Sequence, residues 1–203
     1  FDSGAIIDGL NFDQIGADGI CVDSVGHVHL RKLLVRNWTV SGIKITADAL
    51  PDGNEVRDFV VANCKTEHTG GAGIAIVGSD RTASQTWPPL GTTRVRDVLI
   101  ENNDVSYTNM VTPHNQSFGV EGNNKPGGKS ESITVTGGVG NVITRYNDVH
   151  DSRQYGIDYK TGVIGGEIYG NRVWNMLAYG IYLDSSVREV ENVKVYDNTV
   201  WGC

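Results

Sequence analysis

The sequence predicts an all-β coil of short strands, one turn of the coil per repeat, and three observations predict it. The apolar content is β-branched: 25 Val and 15 Ile stand against 20 Leu, Ala and Met together, a balance that favours pleated strands over helices. Glycine, at 26 residues, has about twice its ordinary share, and 16 Asn accompany it, as frequent tight or left-handed turns require. Two short signatures also alternate along the whole chain.

The first signature is Gly-(Ile/Val)-x-apolar, at Gly19, Gly42, Gly73, Gly119, Gly156 and Gly180, with spacings of 23, 31, 46, 37 and 24 residues. The second is Asn-x-Val or a close variant, at Asn37, Asn63, Asn103, Asn147, Asn171 and Asn198. Where connections are short the two keep one register: Phe12 to Gly19, Val149 to Gly156 and Val173 to Gly180 each span seven residues. The shortest period is too brief for a propeller blade, and nine Leu are too few for leucine-rich repeats. What remains is a stack of parallel strands with rungs about 4.8 Å apart.

On these residues the sequence resembles, over essentially its whole length, the right-handed parallel β-helix superfamily, the pectate-lyase-like fold. The resemblance implies a single-stranded right-handed parallel β-helix of about seven rungs, with 1–203 as one domain. It also implies that the six turn asparagines stack into a ladder inside the coil, bonding backbone groups that the bend leaves unpaired. Both ends fall mid-rung without an amphipathic cap, so the chain is expected to belong to a longer one. Extra residues at 80–93, 106–117 and 124–140 enlarge the third and fourth rungs, where they are expected to wall a cleft.

Composition excludes several functions. Twenty-four Asp and Glu against 17 Lys and Arg give a net charge of -7, the wrong sign for a nucleic-acid partner, whose phosphates need clustered cations. No apolar run approaches a membrane span. Cys21, Cys64 and Cys203 cannot all pair and match no zinc spacing, so no metal is expected from them.

Side chains alternate across a strand, so each Gly-Ile strand sends two positions outward. Two residues after each Gly the column reads Cys21, Lys44, Ala75, Glu121, Asp158 and Tyr182; four after, it reads Asp23, Thr46, Val77, Asn123, Lys160 and Asp184. The expected site is therefore a polar patch on the last rungs. Glu121 and Asp158 would face each other as like charges, which raises the pKa of one and fits it as a general acid. Lys160 would sit beside Asp184 and hold it ionised. The diagonal from Asp158 to Asp184 is roughly 8 Å at the backbone, compatible with either carboxyl separation used by glycosidases. Lys44 and Asn123, in the same columns, are expected substrate contacts.

His68, His114 and His150 lie five, five and six residues before their glycines, which places them in one turn on three rungs. His150 is the expected proton-transfer residue, and His68 and His114 are expected sugar contacts. Trp87, Tyr107 and Tyr182 join them as aromatic contacts, with Tyr155 and Tyr179 serving either sugar stacking or packing.

Gly156-Ile157-Asp158-Tyr159-Lys160 and Gly180-Ile181-Tyr182-Leu183-Asp184 are similar to strands of β-helix glycoside hydrolases, including bacterial β-xylosidase-type enzymes. That resemblance implies Asp184 as nucleophile or base, tuned by Asp158 and Lys160. The family's acid is a Glu on the following rung, beyond Cys203 here, so Glu121 or Asp158 would serve instead. The expectation is a secreted or periplasmic, cofactor-free enzyme cleaving glycosidic bonds of a polysaccharide or oligosaccharide. One alternative is a polysaccharide lyase on uronic-acid polymers, with Lys160 or a His as base and Ca²⁺ held by Glu121, Asn123 and Asp158. Another is a non-catalytic glycan-binding or adhesin β-helix.

Overall fold

The computed structural model describes residues 5–9, 17–51, 53–78, 92–110 and 131–203. A strand β1 (Ile6–Asp8) precedes six three-stranded rungs: β2 (Ile20–Asp23), β3 (Val28–Arg31) and β4 (Leu34–Trp38); then β5 (Ile43–Thr46), β6 (Val56–Ala62) and β7 (Lys65–Thr69). The third rung is β8 (Ile74–Val77), β9 (Val95–Glu101) and β10 (Asp104–Ser106), and the fourth β11 (Ile133–Thr136), β12 (Val139–Arg145) and β13 (Asp148–Ser152). The last two are β14 (Ile157–Lys160), β15 (Ile164–Tyr169) and β16 (Arg172–Met176), then β17 (Ile181–Asp184), β18 (Glu191–Tyr196) and β19 (Thr199–Trp201).

The first strands of the rungs form one six-stranded sheet (sheet I), the second strands another (sheet II), and the third strands together with β1 a seven-stranded sheet (sheet III). Every neighbour pairs parallel. The molecule is a right-handed parallel β-helix, as expected, with six complete rungs among the described residues.

The alternation places the core where the signatures put it. Ile43, Ile45, Ile74, Ile76, Ile133 and Ile157 point inward and are fully buried, with Val35, Val105, Val149 and Val173 completing the interior from sheet III. At the corner entering sheet I the coil is tight enough to demand glycine. A Cβ on Gly156 would lie 2.4 Å from both the Gly180 carbonyl oxygen and a methyl of Val173.

The asparagine ladder exists but has four members. The Asn147 Oδ1 accepts the Asn103 backbone and side-chain N–H groups at 3.0 and 2.9 Å, Asn171 does the same for Asn147, and Asn198 for Asn171. Each amide also donates to a carbonyl at the end of sheet II: Asn103 to Val61, Asn147 to Ile100, Asn171 to Thr144 and Asn198 to Ile168. Register with β4 and β7 puts Leu33 and Cys64 in the ladder position on the earlier rungs.

Asn37 and Asn63, expected inside, instead occupy left-handed bends at φ 63 and 54. Asn63 is exposed, in a column with Lys32, Asn102, Tyr146, Gly170 and Asp197, all at positive φ. A short polar side chain suits either position, and that is why the signature misled there.

The fourth rung also differs from the sequence reading. The sheet I strand between β8 and β14 is β11, with Ile133 aligned on Ile74 and Ile157, and not a strand beginning at Gly119. Ser132 stands where the other rungs have Gly. Its hydroxyl accounts for the exchange: it bonds Thr108 at 2.7 Å and the Tyr155 carbonyl at 3.2 Å.

Candidate functional site

On the outer face of sheet I, Asp158 is aligned with Thr134 on one neighbouring strand and Tyr182 on the other, and Lys160 is aligned with Asp184. Glu121, expected opposite Asp158, lies outside the described residues, as do Asn123, His114 and Trp87; the rung position assigned to Glu121 belongs to Thr134. The acidic neighbour of Asp158 is Glu131, two residues before Ile133, just as Tyr155 and Tyr179 stand two before Ile157 and Ile181.

Glu131 and Asp158 are 3% and 1% exposed, and Lys160 lies between them. The Lys160 Nζ donates to the Glu131 Oε1 at 2.6 Å and stands 3.4 Å from the Asp158 Oδ2. Among the described residues, neither Asp158 oxygen nor the Glu131 Oε2 has a hydrogen-bond partner of good geometry. Two carboxylates thus share one ammonium in a place that water barely reaches.

The electrostatic outcome is asymmetric. Burial, reinforced by the negative charges of Glu131 and, more weakly, Asp184, pushes the Asp158 carboxyl up to about 8 despite Lys160. Of the carboxyls in the cluster, Asp158 is thus the one whose protonated form burial favours. Burial works to lower the Lys160 ammonium, but the Glu131 and Asp158 carboxylates outweigh it and raise the group above its ordinary value. Asp184 is half-buried, its Oδ1 accepting the Ser186 backbone N–H at 2.7 Å, and its charge raises the Tyr182 phenol.

Three tyrosines close the site on the side of the last rungs. Tyr155 stacks on Tyr179 at 5.2 Å, and Tyr182 lies 5.2 Å from Tyr155 and 5.1 Å from Tyr179. Tyr179 is 56% exposed, so one ring face is packed while much of the ring remains open. Burial raises the Tyr155 phenol, with help from Tyr182 and Glu131, so the cluster and the carboxylates share one field.

The histidines belong elsewhere. His68 and His150 are on β7 and β13 of sheet III, and they are out of step with each other: His150 aligns with Trp174 and Ser106, whereas His68 holds the left-handed position filled by Tyr107 and Asp151 on later rungs. His150 bonds Asp151 at 2.7 Å and meets Asp104 at 3.3 Å, its ring stacked 4.4 Å from Trp174. His68 stacks on Tyr107 at 4.9 Å, and Trp174 on Trp201 at 4.9 Å. Rings stacked this closely along the axis cover one another's faces, so this row braces sheet III from outside. Lys44, on β5, lies three rungs before Asp158, roughly 14 Å along the axis.

The sequence reading thus supplied Asp158, Lys160, Asp184 and Tyr182, which the fold does bring together, and missed Glu131. The signal for it was the pattern Ser132-Ile133-x-Val135, readable once serine is allowed at the glycine position.

No protein-family model and no curated protein matches the sequence. Two solved structures share the coil. Full-length tailspike protein 2 from Escherichia coli O157:H7 bacteriophage CAB120 aligns with 96% of this chain at 13% identity and a TM-score of 0.55. The structure described as the bacteriophage CBA120 tailspike protein 2 enzymatically active domain aligns with 86% at 12% identity and a TM-score of 0.50. The chain spans about a quarter of the length of each, 24%. At such identity the likeness is one of fold.

Proposed function

We propose that this β-helix hydrolyses glycosidic bonds of a polysaccharide or oligosaccharide, with Asp158 as general acid and Asp184 as nucleophile or base. The observation that carries the reading is Asp158, a buried carboxyl on a rigid strand, one rung and two residues from Asp184, in a place where burial and Glu131 raise its proton affinity. In the reaction the bond between the anomeric carbon and the leaving oxygen breaks as that oxygen takes the Asp158 proton. The anomeric carbon is attacked either by the Asp184 carboxylate or by a water that gives its proton to Asp184. The open part of Tyr179 offers a surface for the C–H face of a pyranose beside the acid. The likeness of this coil to a tailspike protein's enzymatically active domain supports an enzymatic reading, and secretion is part of the proposal.

Elimination by a lyase is less well served. Its base must accept a proton, yet the Lys160 ammonium is bonded to the Glu131 carboxylate at 2.6 Å, and His150 lies on sheet III, away from the acidic cluster of sheet I. The test is incubation with a panel of neutral and uronic-acid polysaccharides, with and without chelator. Products heavier by one water per cleavage, unaffected by chelator, support the proposal; unsaturated products overturn it.

One observation favours a second reading, a glycan-binding coil without turnover: Asp158 is 1% exposed, so substrate reaches it only if its cover moves. Retained glycan binding with no product from any polymer selects that reading.

A further inference from the structure

We propose that Glu131 is a positioning residue: by holding the Lys160 ammonium it denies Asp158 a full counter-charge and makes Asp158 the member of the cluster that carries the proton. The inference rests on the functional reading only for its catalytic consequence; the charge arrangement itself is a property of the folded chain.

The geometry supports the division of labour. Lys160 has one short contact, 2.6 Å to Glu131, and one long one, 3.4 Å to Asp158. Across that 0.8 Å difference a hydrogen-bonded ion pair becomes a looser attraction, because directional bonding fades beyond about 3.2 Å. The unpartnered Asp158 oxygens fit the same account, since a protonated acid tolerates burial that a carboxylate does not.

Among the described residues, the charged or titratable groups bearing on Asp158 lie on or beside its own strand and both neighbours. Glu131 precedes β11, Tyr155 and Lys160 flank Asp158 around and on β14, and Tyr182 and Asp184 come from β17. Thr134, its partner on β11, is uncharged. Among these described groups Lys160 is the one that favours the ionised form, and Glu131 engages it.

Removing the Glu131 charge should release Lys160 toward Asp158 and remove a repelling neighbour, two changes of the same sign. The measurement is the titration of the Asp158 carboxyl carbon by ¹³C NMR in the full chain labelled at aspartate Cγ, the signal assigned by its loss in Asp158→Asn. In the parent protein Asp158 is expected to titrate above neutrality. In Glu131→Gln its midpoint falls by about one unit or more, and in Lys160→Met it does not fall. Glu131→Asp, which keeps the charge but shortens its reach, gives an intermediate value and decides the matter should Glu131→Gln not fold. A midpoint unmoved by the Glu131 substitutions overturns the inference, because a purely structural ion pair would leave the titration of a neighbour alone. If the midpoint moves and no polysaccharide is cleaved, the functional reading fails by itself; if cleavage occurs and the midpoint stays, this inference fails by itself.

Discussion

Two buried polar rows run along this coil, one inside at the corner between sheets II and III and one outside on sheet I, and they are built on opposite terms. In the asparagine row each side chain from Asn103 to Asn171 accepts from the rung before it and donates to the rung after it and to a carbonyl. In the acidic row, among the described residues, Asp158 has no hydrogen-bond partner of good geometry and Glu131 keeps one oxygen unpartnered. Uncharged amides that satisfy each other are architecture, since desolvating them is offset bond for bond. Carboxyls buried without such partners oppose folding, and sites where they persist are sites where a shifted proton affinity is of use.

The largest expected effect comes from breaking the acidic row at its centre. Asp158→Asn should lower glycan cleavage by a factor of about 10² to 10⁴, the usual worth of a positioned proton donor, while the folded state is kept. The same substitution should remove a pH dependence. Because the folded Asp158 binds its proton more tightly than an unfolded aspartate, the folded state holds the extra proton between about pH 4 and 8. Stability therefore falls as pH rises across that window, by an amount on the order of a few kcal/mol. Urea titrations at pH 5 and pH 8.5 measure the slope. A mutant whose stability difference between those two values matches the parent's would show that Asp158 is not the group responsible.

The asparagine row should respond in stability alone. Asn147→Ala strands the Asn103 backbone N–H and the Ile100 carbonyl, both bonded to that side chain at 3.0 Å. Each buried orphan costs about 1–3 kcal/mol, so a loss of roughly 2–6 kcal/mol is expected from chemical denaturation, with no change in the Asp158 titration. If Asn147→Ala altered that titration while the protein remained folded, the two rows would not be independent.

How much of this was legible in the sequence follows from what each row demands. The inward phase of the strands could be read because each rung turns an Ile inward at the same point of sheet I, and the registers of Ile43, Ile74 and Ile157 obey it. The ladder was legible only where the turn is identical from rung to rung. Cys64 and Leu33 hold its position without resembling asparagine, while Asn37 and Asn63 match the residue type but serve left-handed bends. For the site, Asp158, Lys160 and Asp184 followed from strand alternation. Glu131 did not, because it sits in a connection with no alternation to count and its rung replaces glycine with serine. The histidines misled through the left-handed residue inside or just after the sheet III strands from β4 on, which shifts the outward face by one: His150 stacks on Trp174 while His68 stacks on Tyr107.

The smallest expected effect separates burial from ion pairing as the origin of the acidic row's behaviour. Arg172 and Asp148 pair through two nitrogen–oxygen contacts between adjacent strands of sheet III, a better geometry than Lys160 offers either of its partners, but they do so in solvent. The Asp148 carboxylate holds the Arg172 guanidinium above its ordinary value, yet water and salt screen the pair, and holding two side chains in one geometry consumes much of what attraction remains. Arg172→Gln should accordingly leave the denaturation midpoint unchanged within error at moderate salt, and leave the Asp158 titration untouched. A clear loss of stability would mean that exposed pairing between rungs contributes more than solvent screening allows, and the contrast between the two rows would then rest on charge as much as on depth.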